Sequence, residues 1–150
     1  MDAARERLGA THDLFLPDSN LVDRVKGLAG GEGVDVAFVT ADDPALVSRA
    51  VEMVRRRGIV VLIALLTQSR LALKAYDIIG QEKQILGSNM ANYEDVQQAI
   101  EWAASGQVDL EGINTHVLPI EDAQRGMELA HTKDDGAIKV VLSFDRLTRP

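Results

Sequence analysis

The 150 residues carry 16 Lys and Arg against 23 Asp and Glu, and the resulting net charge of -7 disfavours any role that tracks nucleic-acid phosphates. Hydrophobic residues make up 46% and charged residues 26%, as in an ordinary globular domain rather than a disordered chain. The sequence has no cysteine, which excludes disulfides and thiolate metal sites. Because no apolar run has membrane-spanning length and no signal-peptide pattern is visible, we expect a soluble, cytoplasmic protein that does not bind membranes.

The first forty residues predict a helix end, a short strand, a helix and a buried strand. These elements lie, in chain order, at residues 2–9, Asp13–Leu16, Leu21–Leu28 and Val34–Val39. Gly9 and Gly30 follow the two helical segments, and glycine is the usual residue for the left-handed turn that ends a helix. Pro17 ends the short strand.

The next segment predicts a capped helix followed by a central strand. Asp43 is a candidate N-cap with Pro44 at the first helical position. An apolar stripe follows at Leu46, Ala50, Val51 and Val54. Arg55–Arg57 is interpreted as a solvated helix end, where positive charge favours the helix dipole, and Gly58 ends the helix. Ile59–Leu65 is apolar at every position, as expected of a central strand covered on both faces.

The second half continues the alternation of strands and helices. Gln84–Gly87 predicts a short strand, and Asn92 caps a helix that runs through Ser105. Four apolar side chains of this helix are expected to face inward: Val96, Ala99, Ile100 and Ala103. The tail predicts an extended piece, a helix and a last strand at His116–Leu118, Ile120–His131 and Ile138–Leu142. Strands that alternate with helices indicate an α/β fold with a parallel, doubly wound sheet.

Several short runs carry a resemblance to a known family. They are Arg7–Ala10, Gly33–Val36, Ala50–Arg55, Gly58–Leu62, Ile85–Ser88, Thr115–Pro119, Ala130-His131 and Ile138–Leu142. Their order and spacing resemble the C-terminal part of the zinc-type medium-chain dehydrogenases, which include alcohol, sorbitol and threonine dehydrogenases. The resemblance implies an incomplete Rossmann-type dinucleotide-binding domain at residues 1–112. Residues 113–150 would be the segment that packs on the catalytic domain in that family.

The resemblance also implies NAD or NADP as cofactor and an ancestral oxidation of an alcohol or polyol. The family's metal-binding catalytic domain and its glycine-rich phosphate turn have no counterpart in these 150 residues. The glycine cluster Gly30–Gly33 precedes a strand, so it is interpreted as a helix-to-strand turn rather than a phosphate loop. We therefore expect no zinc, weak or absent cofactor binding and no catalysis by this chain alone.

Candidate cofactor contacts follow from where the strands end. In a doubly wound sheet, ligands lie outside the carboxyl ends of the strands. By the resemblance, these ends supply six residues: Thr40, Ala41, Ala64, Leu65, Ser88 and Asn89. Lys139 falls where the family often has a basic residue near the pyrophosphate, although a plain surface lysine is an equal alternative. The family usually has glycine at Asp42 and Ala64, and these departures predict a weakened contact with the cofactor.

The three histidines and the paired acidic residues have structural interpretations, so no catalytic residue is assigned.

Three alternatives to the inactive dehydrogenase fragment stay open. A separate chain could supply the missing half of a split enzyme. The strand Lys83–Gly87, which pairs across a two-fold axis in the family, could join two subunits of a non-catalytic module. The sequence could also be a gene remnant or carry a misplaced start. The resemblance implies the strand order 3-2-1-4-5-6, with Asp13–Leu16 as strand three and Val34–Val39 as strand four. Strands one and two, which would lie between them, have no counterpart here, so Val34–Val39 would have an open edge. We therefore expect association, or a pairing of Asp13–Leu16 with Val34–Val39.

Overall fold

A computed structural model describes residues 4–5, 9–14, 19–66 and 70–144. The chain divides into two compact units. One is Leu14–Met90, and the other combines Met1–Asp13 with Ala91–Pro150. Each unit contains a parallel sheet with helices, which confirms the α/β fold class. None of the helices among the described residues combines the length and apolar character that crossing a membrane requires.

The unit Leu14–Met90 alternates helices with three parallel strands. In chain order these are α1 Leu21–Leu28, β1 Val34–Val39, α2 Pro44–Met53, β2 Val54–Leu62, α3 Ala75–Ile79 and β3 Gln84–Gly87. The strand order is β1-β2-β3, with β2 in the centre. Helix α1 ends as predicted: Gly30 has φ +79°, and the Gly31 N–H donates to the Lys26 carbonyl at 2.7 Å.

Helix α2 supplies the core of this unit. Its predicted cap is confirmed, because the Asp43 side chain accepts a hydrogen bond from the Ala45 N–H at 2.9 Å and Pro44 is the first helical residue. The most buried side chains are valines from α2 and β2, at no more than 2% exposure: Val47, Val51, Val54 and Val60. The predicted stripe omitted Val47, which packs in the centre of this cluster while Leu46 lies at its margin.

The interpretation of Arg55–Arg57 as a helix end is wrong. Helix α2 stops at Met53, and the chain enters β2 at Val54. From the pair Val34–Val54 to the pair Val36–Ile59, β1 advances by two residues while β2 advances by five, so the arginines lie in a wide bulge. The bulge turns at Arg57, whose φ is +61°.

Carboxylates from other elements hold the arginines of this bulge. The Arg55 Nε lies 2.6 Å from the Asp35 carboxylate of β1, and the Arg57 Nε lies 2.6 Å from the Glu82 carboxylate. Arg56 also pairs with Glu82. The two hydrogen bonds, first that from Arg57 and then that from Arg56, lower the pKa of the Glu82 carboxyl group. These partners are distant in sequence, which is why local pattern did not predict the bulge.

Three further strand predictions also need correction. β2 ends at Leu62 rather than Leu65. β1 is not buried on both faces: Val39 belongs to the core, whereas Phe38 on the opposite face is 65% exposed. Asp13 and Leu14 are not in a strand, and the other two residues of the predicted strand Asp13–Leu16 lie outside the described residues. Within the described ranges, β1 pairs only with β2.

The second unit consists of a capped helix and a β-α-β segment. Its elements are α4 Tyr93–Ala104, β4 Asn114–Pro119, a 3₁₀ turn Ile120–Asp122, α5 Ala123–Thr132, a 3₁₀ turn Asp134–Gly136 and β5 Lys139–Ser143. β4 and β5 are parallel neighbours, in agreement with the parallel sheet predicted from the alternation of strands and helices. Ala4 and Arg5 are helical, and the left-handed φ of +75° at Gly9 agrees with the predicted helix stop.

Helix α4 forms as predicted but does not bury its apolar face. Asn92 and Asp95 make a reciprocal capping box, with the Asp95 N–H 2.8 Å from the Asn92 side-chain oxygen. No residue of α4 is buried, and Val96 and Ile100 are 47% and 56% exposed. The expectation that this face points into a core is therefore wrong for the chain as it stands.

Candidate cofactor site at the strand carboxyl ends

The carboxyl ends of β1, β2 and β3 lie at one edge of their sheet because all three strands are parallel. Backbone hydrogen bonds extend this alignment beyond the strands. The Ile63 and Ala64 N–H groups donate to the Val39 carbonyl at 3.0 and 3.1 Å, and the Ser88 N–H donates to the Leu62 carbonyl at 2.9 Å. The structure therefore brings together the chain segments that hold six predicted contacts: Thr40, Ala41, Ala64, Leu65, Ser88 and Asn89.

This edge presents small and polar groups to solvent. Five of the six residues are exposed, and Ala64 is half-buried. Leu65 is the one large apolar side chain among them, at 68% exposure. Such an open edge leaves the residues that follow the strands accessible to a ligand. Nothing in this geometry tests which of the six residues contacts a cofactor, so their assignment stays a prediction.

The charge at this edge is negative. Asp42 and Asp43 lie three and four residues after the end of β1, and Asp43 caps α2. The sequence supplies no Lys or Arg in residues 34–48, 58–66 or 84–92. A pyrophosphate placed here would therefore meet a carboxylate rather than a cation from these segments, whereas the uncharged amide of a nicotinamide would meet no such repulsion. The charge of these segments therefore disfavours phosphate groups at this edge.

Lys139 lies in the other unit. It is the first residue of β5 and is exposed, and its carbonyl accepts a hydrogen bond from the Thr115 hydroxyl at 3.2 Å. Its role near a cofactor pyrophosphate stays a prediction.

His116 has structural partners. Its ring is 15% exposed, with Nδ1 3.1 Å from the Thr115 hydroxyl and Nε2 3.4 Å from the Asp135 carboxylate. Thr115 in turn accepts a hydrogen bond from the Ile138 N–H at 3.0 Å. His116 therefore helps to join β4 to the turn that precedes β5.

A zinc ion does not fit the residues that the structure describes. Within these residues, no group of three or more His, Cys, Asp and Glu side chains could hold a metal ion. The sequence also has no cysteine. We therefore derive no step through zinc from this chain.

Met90 belongs to the same edge and was not singled out from the sequence. It follows Asn89, has φ +58° and is 91% exposed. Methionine has no preference for the left-handed region, so the sequence carries no signal for such a turn.

Comparison with known proteins decides the family. The family model described as "Zinc-binding dehydrogenase" matches residues 1–105. The chain belongs to this family. Sorbitol dehydrogenase of Bacillus subtilis strain 168 is 31% identical over 144 residues, which cover 95% of this chain and 40% of that protein. L-threonine 3-dehydrogenase of Bacillus velezensis is 26% identical over 141 residues, which cover 93% of this chain and 40% of the relative. The predicted family is thus confirmed.

Solved structures agree on the fold. An alcohol dehydrogenase from Escherichia coli CFT073 in complex with NADH matches with a TM-score of 0.83 at 20% identity and covers 95% of this chain and 41% of its own. The alcohol dehydrogenase of Thermus sp. ATN1 matches with a TM-score of 0.81 at 27% identity, over 92% of this chain and 40% of its own. These matches confirm a Rossmann-type fold. The chain spans about two fifths of the length of the curated relatives named above.

Proposed function

We propose that this chain serves NAD(P)-dependent oxidation of an alcohol or polyol by supplying the nicotinamide side of a cofactor domain, and that its 150 residues are inactive by themselves. The observation that carries the proposal is the shared carboxyl edge of three consecutive parallel strands in a member of the zinc-binding dehydrogenase family. The relatives' names point to sorbitol and L-threonine as substrates of those proteins, and one structural neighbour was solved with NADH. In such chemistry the cofactor carries the hydride and the protein orients it.

The charge of the carboxyl edge supports weak binding by the chain alone. Each hydrogen bond to a charged phosphate oxygen contributes about 1.5–3 kcal/mol, and a millimolar dissociation constant corresponds to only about 4 kcal/mol. Because the edge offers no cation and places Asp42 beside the ligand, we expect a dissociation constant of about 1 mM or weaker for NAD. Ala64→Gly should strengthen binding by removing a methyl group from the edge, and Lys139→Ala should weaken it.

Reconstitution tests this function. The purified chain is assayed for NAD(P)H formation with sorbitol, L-threonine and a panel of simple alcohols, first alone and then with the remaining part of the Bacillus subtilis relative expressed separately. We expect turnover only in the mixture, and less turnover when the chain carries Lys139→Ala. Arg125→Ala, which removes an exposed cation of α5, is the matched control. Steady turnover by the chain alone would refute the inactivity, and a mixture without turnover would refute the contribution to catalysis.

Association through β3 is a second candidate function. β3 is an end strand of the described sheet, and Leu86 is 47% exposed. An end strand with unpaired backbone groups can pair with a second copy, and lysine on such a strand opposes pairing. We propose that Lys83–Gly87 forms a homodimer contact. Analytical ultracentrifugation should show a dimer that Leu86→Lys dissociates and that Leu28→Lys, at a side chain 51% exposed on α1, leaves intact. A monomeric wild-type chain, or equal effects of both variants, would contradict this contact.

A further inference from the structure

A cavity lies at the amino edge of the three-stranded sheet, where the strands begin, opposite the carboxyl edge described above. It opens to solvent, has a volume of about 630 Å³, and is walled by α1, α3 and the residues around the starts of β1, β2 and β3. All its lining residues belong to the unit Leu14–Met90. This volume falls within the range of small-molecule sites, about 300–1,000 Å³. The cavity is separate from the carboxyl edge, so its interpretation does not depend on the proposed function.

Four cations line the cavity, and two of them keep unused donors. Lys74 lies 3.4 Å from Glu52, and Arg56 pairs with Glu82. The Lys83 ammonium donates one hydrogen bond, to the Val51 carbonyl at 2.7 Å, although an ammonium has three donors. Lys26 makes no side-chain hydrogen bond or ion pair with any described residue. Lys26 and Lys83 can therefore accept a further ligand.

Lys26 and Lys83 are the cations of this cavity that keep donors for an anion. Burial lowers the pKa of Lys83, and the positive charge of Lys26 lowers it further, against the opposing effect of Asp77 and Glu52. Both lysines line the same cavity, so their positive charges oppose each other there. A phosphoryl group between them would relieve the repulsion and satisfy the unused donors with charge-assisted hydrogen bonds.

Carboxylates also line the cavity. Asp23, Glu32 and Asp77 line it, and none of them forms an ion pair with a described residue. Carboxylates accept hydrogen bonds from hydroxyl groups, and the cavity is much larger than a phosphate ion. We propose that this cavity binds a small phosphorylated polyhydroxy compound, with its phosphoryl group between Lys26 and Lys83 and its hydroxyl groups donating to the three carboxylates.

Calorimetric titration of the full chain at constant ionic strength tests the site. The probes are glucose 6-phosphate, glucose and inorganic phosphate. We expect glucose 6-phosphate to bind at least about tenfold more tightly than either component, because only it carries both a phosphoryl group for the lysines and hydroxyl groups for the carboxylates. Lys26→Gln should weaken its binding by about tenfold or more, as the loss of a hydrogen bond to a charged group does. Lys133→Gln, an exposed lysine in the other unit, is the control and should have no effect.

Two further variants test a lysine and a carboxylate of the site separately. Lys83→Gln should also weaken binding, but it removes the bond to Val51, so its fold is checked by circular dichroism and Lys26→Gln is the primary test. Asp23→Asn should reduce the preference for glucose 6-phosphate over inorganic phosphate. No detectable binding of glucose 6-phosphate, equal binding of inorganic phosphate, or binding that Lys26→Gln leaves unchanged would each overturn the proposal.

Discussion

Helices α2 and α4 carry the same kind of sequence signal and have different surroundings. Each has an apolar face and an N-cap, Asp43 in α2 and the Asn92 capping box in α4. Helix α2 buries three side chains against β1 and β2, whereas α4 buries none. The comparison teaches that helical periodicity encodes a helix and the face it would bury, but the burial itself depends on a partner surface.

The apolar face of α4 is exposed, although the local sequence pattern predicts that it is buried. Together with Val108 and Leu110, its side chains line an apolar groove of about 410 Å³. The hydrogen bonds described for α4 join residues of the helix itself, of its caps and of the turn that follows it. One of them runs from the Gln107 N–H to the Trp102 carbonyl at 2.9 Å, next to Gly106 with its left-handed φ. We expect the unit that contains α4 to gain less stability from side-chain packing than the unit that contains α2.

The largest expected difference concerns two glycines with positive φ. Gly33 has φ +109°, and a Cβ there would lie 2.2 Å from the Met53 carbonyl oxygen at the end of α2. Gly106 has φ +71° at the end of α4 with open space around it. Gly33→Ala should lower the free energy of unfolding by about 2–5 kcal/mol, from backbone strain plus overpacking, and Gly106→Ala by about 1–2 kcal/mol from strain alone. Urea denaturation measures both, and equal losses would contradict the crowding of Gly33.

A matched pair of valines compares the two helices directly. Val47 of α2 is fully buried, and Val96 of α4 is 47% exposed. Val47→Ala should lower the free energy of unfolding by about 2 kcal/mol, from lost burial and a residual cavity. Val96→Ala should change it by less than about 0.5 kcal/mol, as for a surface substitution. If Val96→Ala costs as much as Val47→Ala in urea denaturation, α4 has a partner surface in solution and the comparison fails.

The smallest expected effect is a pH dependence at Glu82. Hydrogen bonds from Arg57 and Arg56 lower the pKa of this carboxyl group below its ordinary value of 4.5. Its stabilising contribution is therefore present above that value and is lost as the pH falls through the lower, folded-state pKa. The melting temperature of Glu82→Gln should lie below that of the wild type near neutral pH, and the gap should close below about pH 4.5. Glu111→Gln removes an exposed carboxylate and is the control; a gap that does not change with pH would contradict the ion pairs.

Local patterns predicted much of the fold. The caps Asp43 and Asn92, the left-handed glycines Gly9 and Gly30 and the alternation of strands and helices depend on nearby residues, and these predictions are confirmed. The predicted helix stop at Gly58 is wrong, because the helix ends at Met53. The bulge at Arg55–Arg57 was missed because its ion pairs with Asp35 and Glu82 join residues that are far apart in the sequence. The exposure of α4 was missed because periodicity does not show whether a partner surface is present.

The carboxyl edge and the amino edge of the sheet also differ in how far the sequence predicts them. The candidate residues at the carboxyl edge follow from strand boundaries and parallel order, which the sequence and the family resemblance indicate together. The cavity at the amino edge could not be predicted, because Lys26 and Lys83 lie in different elements and neither belongs to a motif. Only the packing of α1, α2 and α3 brings them together.

Titration of the isotopically labelled chain with NADH, followed by nuclear magnetic resonance, tests the central claim that the carboxyl edge is the cofactor surface. We expect the amide signals of Thr40, Ala41, Ala64 and Ser88 to shift together, with a dissociation constant of about 1 mM or weaker, because the edge offers no cation to the phosphates. Signals at the amino edge, such as that of Lys83, should remain unchanged at low NADH concentration. Low-micromolar binding, or shifts that spare the carboxyl edge, would contradict the account.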